Sequence, residues 1–188
     1  MIIVKMSGGL GNQMFQYALY RKLEHLGKEV KLDISAYQEK NAFRKFSLDI
    51  FDLSYRTANL QECRRLGECS YQPMDKIRRK VFGPKKSYYM ENLDKGYQPE
   101  IFEMDSVYLD GYWQCERYFK DIQKRILEDF TFPGRLSDKS SELLEKIEHT
   151  ESVSLHVRRG DYLNEATYKI YGNICTVEYY RNAILEMT

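Results

Sequence analysis

Two short stretches of this chain combine residue types that could hold a phosphate. The first is Ser7-Gly8-Gly9-Leu10-Gly11-Asn12-Gln13. Its glycines admit positive φ and let a backbone approach a ligand closely. The N–H groups of a helix opening directly behind them would form an anion-friendly pocket. Asn12 and Gln13 add side-chain donors and acceptors at the same bend, which points to ligand contact. A tight turn with a purely structural role is the competing account. The spacing fits neither the dinucleotide fingerprint G-x-G-x-x-G nor the phosphate loop G-x-x-x-x-G-K-[ST], so neither mechanism is inferred.

The second stretch is His156-Val157-Arg158-Arg159-Gly160-Asp161-Tyr162. Two adjacent guanidinium groups are hard to explain as packing; each is permanently charged and matches phosphate oxygens two at a time, so a diphosphate is their natural partner. Gly160 would let the chain turn beside it. Asp161 is the carboxylate nearest the motif and the first candidate for a general base. It could equally pair with Arg158 or Arg159, and His156 taken alone reads as well as a satisfied core histidine. Arg159-Gly160-Asp161 also spells an adhesion tripeptide, but three residues recur too easily by chance to carry that meaning.

Both stretches sit where a parallel α/β sheet would place them. Ile2 to Lys5 reads as a buried strand, and Phe15, Leu19, Leu23 and Leu26 recur at helical spacing up to a capping Gly27. Glu29 to Ile34 then restores strand character, completing a β-loop-α-β unit. Ser35 to Asp105 shows little periodicity. Within it Leu60 to Leu66 predicts a helix, and the basic run Lys76 to Lys80 predicts a solvated helix face. Val107 to Trp113 predicts a strand, and Tyr118, Ile122, Ile126 and Phe130 predict a helix ending before Pro133-Gly134. Beyond that turn cluster come a helix over Ser140 to Ile147, a strand over Ser152 to Val157 and a helix over Thr176 to Met187. The second motif would thus lie at the carboxyl end of a strand, the usual place for ligands in open α/β sheets.

Composition narrows the class. The 188 residues hold 29 Lys and Arg against 28 Asp and Glu, a net charge of +1, which gives no reason to expect nucleic acid as a partner. A hydrophobic share of 43% with 16 tyrosines supplies a packed core. The apolar opening is too short for a signal or membrane segment, so the expected location is cytoplasmic, the inner face of the membrane included. Cys63, Cys69, Cys115 and Cys175 lack metal-ligand spacing and read as free thiols. The expected domains are residues 1–135 and residues 136–188, the latter read as a linker helix and the start of a further domain whose remaining β-α units are missing.

Gly8 to Ala18, with the sequence GGLGNQMFQYA, resembles the amino-terminal signature of the bacterial α-1,2-fucosyltransferases (glycosyltransferase family 11), and His156 to Tyr162 resembles their His-x-Arg-Arg-Gly-Asp-Tyr motif. The resemblance extends along essentially the whole chain. It implies a GT-B architecture: an acceptor-side Rossmann-like domain followed by the beginning of a second one that binds the donor. It implies GDP-fucose as donor and a galactose-containing glycan as acceptor; no D-x-D pair lies near either motif, so phosphate neutralisation by arginine is expected, with no required cofactor or metal. It assigns donor contacts to Arg158 and Arg159, catalytic roles to Arg159, Asp161 and His156, and cleft contacts to Gly9, Asn12 and Gln13. Motifs that complete the guanosine and fucose pocket in that family do not occur before Thr188. A non-catalytic module that binds glycan or nucleotide is the alternative.

Overall fold

Ile2–Lys5 (β1) lies inside a four-stranded parallel sheet because it is apolar on both sides, with Ile2, Ile3 and Val4 all fully buried. Such a strand needs cover on both faces, and the chain supplies it. On one face Leu10–His25 (α1) packs Leu19, Tyr20 and Leu23 over Ile2, Val4 and Met6. On the other, Leu60–Leu66 (α2) sets Cys63 and Leu66 against Ile3 and Tyr108. Residues 1–39, 44–68, 73–134, 136–157, 159–172 and 174–187 are described by this computed structural model.

The remaining strands are Val30–Asp33 (β2), Tyr88–Met90 (β3) and Val107–Asp110 (β4), and the order across the sheet is β2-β1-β4-β3. Ile2 stands opposite Val30 on one side and Val107 on the other. Because all four run in the same direction, their carboxyl ends form one rim that carries Lys5, Asp33, Met90 and Asp110. The outer edge of β2 is covered by the segment around Thr57, through Leu32 N–H to the Arg56 carbonyl at 2.8 Å and Ala58 N–H to the Leu32 carbonyl at 2.9 Å.

Helix α1 ends as its sequence predicts. Gly27 takes φ +74° while its N–H meets the Glu24 carbonyl and the Lys28 N–H meets that of Leu23, a Schellman closure. Helix α2 opens on a reciprocal cap in which Asn59 accepts from the Glu62 N–H and Glu62 accepts from the Asn59 N–H. The basic run lies on Pro73–Phe82 (α3), and the solvated-face expectation fails at one residue. Arg78 reaches both oxygens of the nearly buried Glu68 carboxylate at 2.6 Å.

Two further expectations need correction. The strand predicted to Trp113 stops at Asp110, because Trp113 adopts φ +56°, which no strand accommodates. The helix predicted from Tyr118 starts later: single 3-10 turns at Glu116–Tyr118 and Lys120–Ile122 precede Gln123–Asp129 (α4). Tyr118, Ile122 and Ile126 are nonetheless buried, so the apolar spacing marked the right face.

Asp33 ties the two faces of the rim together. One oxygen accepts from the Ser35 N–H at 2.9 Å and the other from the Tyr108 hydroxyl at 2.6 Å. Burial alone would raise this carboxyl, but these hydrogen bonds outweigh it and hold it below its ordinary 3.8. A lowered folded value means the stabilisation is present above the unfolded value and disappears as pH falls through the folded one. Denaturant midpoints of the wild type should therefore drop below about pH 4 more steeply than those of Asp33→Asn, and parallel profiles would contradict the assignment.

The chain divides into two compact units, Met1–Gly134 and Arg135–Thr188. The second holds Asp138–Glu148 (α5), Glu165–Tyr171 (α6) and Val177–Met187 (α7), capped by the side chains of Ser137, Asn164 and Thr176. The strand expected over Ser152 to Val157 does not form, and Val153, Leu155 and Val157 are exposed. Its alternation favours extended backbone, but a strand exists only by pairing. Among the described residues of this unit there is no other strand to pair with.

Candidate functional site

The glycine stretch forms the turn from β1 into α1, and its glycines serve different purposes. Gly8 has φ +80°, and a Cβ there would fall 2.2 Å from the Asn12 amide nitrogen, so the turn itself demands glycine. At Gly9 and Gly11 an added Cβ would meet nothing within 4 Å, and neither has positive φ. The packing of the described residues therefore leaves open space over both. The first helical bond runs from Gln13 N–H to the Gly9 carbonyl at 3.1 Å; Gly9, at the N-cap, has no side chain to cap the N–H groups before it, and no acid lies in the first turn. An anionic or polar group could approach here at backbone distance.

Two buried glutamines, three residues apart on one face of α1, hold this turn in place. Gln13 donates to the Gly8 and Lys45 carbonyls, both at 3.0 Å, and accepts from Ser47 N–H at 2.8 Å. Its amide is thus occupied in shaping the loop. Gln16 accepts from Ser7 N–H at 2.9 Å and donates to the Ser7 hydroxyl at 3.1 Å and the Gly111 carbonyl at 2.8 Å. It thereby joins the turn after β1 to the turn after β4. Asn12 is partly exposed and accepts from the Gln114 amide at 2.7 Å, a second link between the same turns.

The turn after β4 was not legible as a site. Gly111 cannot carry a side chain, since a Cβ would lie 2.4 Å from that of Glu91. One oxygen of Glu91 accepts from both Tyr112 N–H at 2.6 Å and Trp113 N–H at 3.0 Å. Trp113 is fully buried, stacked beside Tyr89 and edge-on to Tyr118. Its left-handed backbone costs about 1–2 kcal/mol for an L-residue, and these contacts hold it there. The Tyr37 hydroxyl donates to the Gly8 carbonyl at 3.0 Å, and burial pushes this phenol up to about 12, with a smaller push from neighbouring Tyr112. The signal in the sequence that could have found this cluster is the pair of glutamines, Gln13 and Gln16, at helical spacing.

The second motif lies in the other unit. His156 and Arg159 are exposed; the His156 carbonyl accepts from the Tyr180 hydroxyl at 3.4 Å, and the Arg159 carbonyl accepts from Tyr162 N–H at 2.8 Å in the Gly160–Leu163 turn. Gly160 takes φ +42°. Arg158 lies outside the described residues, as does the side chain of Asp161. Among the described residues no disulfide joins Cys63, Cys115 or Cys175, and Cys69 lies outside them. Among the described residues no helix is long and apolar enough to cross a membrane, and no metal-ligating cluster occurs.

The sequence profile of glycosyl transferase family 11 matches residues 72–188, which include the arginine motif. The chain belongs to glycosyl transferase family 11. An α-1,2-colitosyltransferase of Escherichia coli is similar along the chain, 34% identical over 188 residues, covering 97% of this chain and 62% of the relative. The O-antigen biosynthesis glycosyltransferase WbnK of Escherichia coli is 28% identical over 202 residues, covering 95% of this chain and 65% of the relative. This family 11 chain thus spans less than two thirds of the length of each. No solved structure matches it. Its parallel four-stranded α/β unit, with a glycine turn after the first strand, accords with a Rossmann-like glycosyltransferase domain.

Proposed function

We propose that this chain serves a glycosyltransferase that moves L-fucose from GDP-β-L-fucose to the 2-hydroxyl of a galactose-containing acceptor. The observation that carries the reading is the Arg158-Arg159 pair within the stretch matched by the family profile. In the proposed reaction the acceptor oxygen bonds to the anomeric carbon as the bond from that carbon to the diphosphate breaks. The configuration inverts, the hydroxyl proton passes to Asp161, and GDP leaves. Negative charge grows on the departing diphosphate, so prepositioned guanidinium groups stabilise the transition state beyond the ground state. His156 supports the motif. Gly9 and Asn12 line the acceptor side, with Gln13 shaping their loop.

The architecture that goes with this reading is GT-B. Met1–Gly134 would be the acceptor-side domain and Arg135–Thr188 would contribute to the donor domain, in the cytoplasm, the inner face of the membrane included. The name of the colitosyl relative supports the α-1,2 linkage and leaves the donor sugar to be settled by assay with a panel of GDP-sugars. A second reading, a binding module without turnover, is favoured by the absence of any strand among the described residues beyond Gly134.

Because arginine neutralises the diphosphate in this scheme, no divalent ion is needed. Incubating the protein with GDP-fucose and a galactose-terminated oligosaccharide should give an α-1,2-fucoside at the same rate with and without chelator. A strict metal requirement overturns the metal-free scheme, and binding of both substrates without product favours the module.

A further inference from the structure

The turn after β4 is held far more firmly than a loop needs to be. Gly111 is pinned by Gln16, the two N–H groups after it are held by Glu91, and Trp113 is fixed in a left-handed backbone by burial among aromatic rings. A bulky residue in that conformation persists only where its surroundings over-determine it, and such strain gathers at binding sites. What the strain achieves is visible in the neighbours. With the Trp113 side chain turned into the core, Tyr112 and Gln114 on either side of it are both exposed. Gln114 meets Asn12 at 2.7 Å, which ties the turn after β4 to the glycine turn. Tyr37 holds the Gly8 carbonyl. An exposed aromatic ring and a pair of side-chain amides therefore stand on the two turns that Gln114 and Asn12 join at this rim.

We propose that Tyr112, Gln114 and Asn12 form a saccharide-binding subsite at the carboxyl rim of the sheet, with Tyr112 as the platform for a pyranose ring and the amide pair as the reader of its hydroxyls. A pyranose presents C–H groups on one face and hydroxyls around its edge. Tyrosine offers a rigid, amphipathic surface to the former at little entropic cost. Each amide offers donors and an acceptor to the latter, so together they can bond a hydroxyl pair and reject an epimer that leaves them unpaired. Gly9 and Gly11 leave the room that the ring needs. The subsite rests on the acceptor-side reading above and adds to it the residues that would choose the sugar.

Trp113 is the chain's only tryptophan, so its emission reports on this turn directly. Titration of the purified protein with methyl β-D-galactopyranoside, followed by emission and by saturation-transfer NMR, should give saturable binding. Tyr112→Ala should weaken it about tenfold or more, whereas Tyr112→Phe, which keeps the ring, stays within about threefold. Gln114→Ala should narrow the preference for the galactoside over the corresponding glucoside. Unchanged affinity in Tyr112→Ala, or no saturable response by either method, overturns the proposal. GDP binding measured by calorimetry separates this claim from the transfer reading. Galactoside binding through Tyr112 without any GDP binding keeps the subsite and removes the transferase, while GDP binding with a galactoside response indifferent to Tyr112 does the reverse.

Discussion

Arg159→Ala is expected to lower turnover of GDP-fucose by about 100- to 1,000-fold, the range seen when one group that stabilises developing charge is removed. The side chain is exposed, and its backbone is set by the bond from Tyr162 N–H to the Arg159 carbonyl, so truncation leaves that turn's backbone bond untouched. Loss of activity would then reflect lost charge and not lost structure. Arg159→Lys keeps the charge but not the planar fork that meets two phosphate oxygens at once, so it should recover only part of the rate. If the contact strengthens in the transition state, kcat falls along with kcat/KM, whereas a rise in KM alone would mean ground-state binding. Initial rates over a range of donor concentrations distinguish these, and near-normal turnover in Arg159→Ala would remove the guanidinium from the mechanism.

The largest effect on stability is expected at Trp113. It is fully buried, and Tyr89 and Tyr118 both pack their rings on it. Trp113→Ala should cost about 3–5 kcal/mol, the usual range for deleting a buried tryptophan. Its indole N–H is buried with no hydrogen-bond partner among the described residues, so the contribution is packing and not a polar contact. Trp113→Phe should retain much of the stability, since a ring still fills part of the space. Denaturant unfolding followed by circular dichroism measures both. A cost below about 1 kcal/mol, within the range of ordinary surface substitutions and mild swaps, would show that the surrounding rings close over the gap.

The two effects separate a residue that acts on a substrate from one that builds a site, and the sequence disclosed the two kinds unequally. Arg159 stood out because paired guanidinium groups have few roles in packing. Trp113 looked like one more strand aromatic, since nothing in the order of residues announces a positive φ at a tryptophan. Tyr88–Met90 was missed for a related reason: three residues on a sheet edge have no periodicity to detect, and they become a strand only when β4 offers its hydrogen bonds.

Elements whose partners are close in the chain were therefore readable in advance. The turn from β1 into α1, the Gly27 closure and the Leu60–Leu66 helix all depend on bonds spanning a few residues, and local residue types suffice to specify those. The expected strand over Ser152 to Val157 shows the limit, because its residues favour extended backbone but cannot supply the neighbour a strand must have. The same limit applies to the rim. Gln16 and Gly111 are 95 positions apart, and Asn12 and Gln114 are 102 apart. Only folding the parallel sheet, with β1 beside β4, brings those turns within hydrogen-bonding reach.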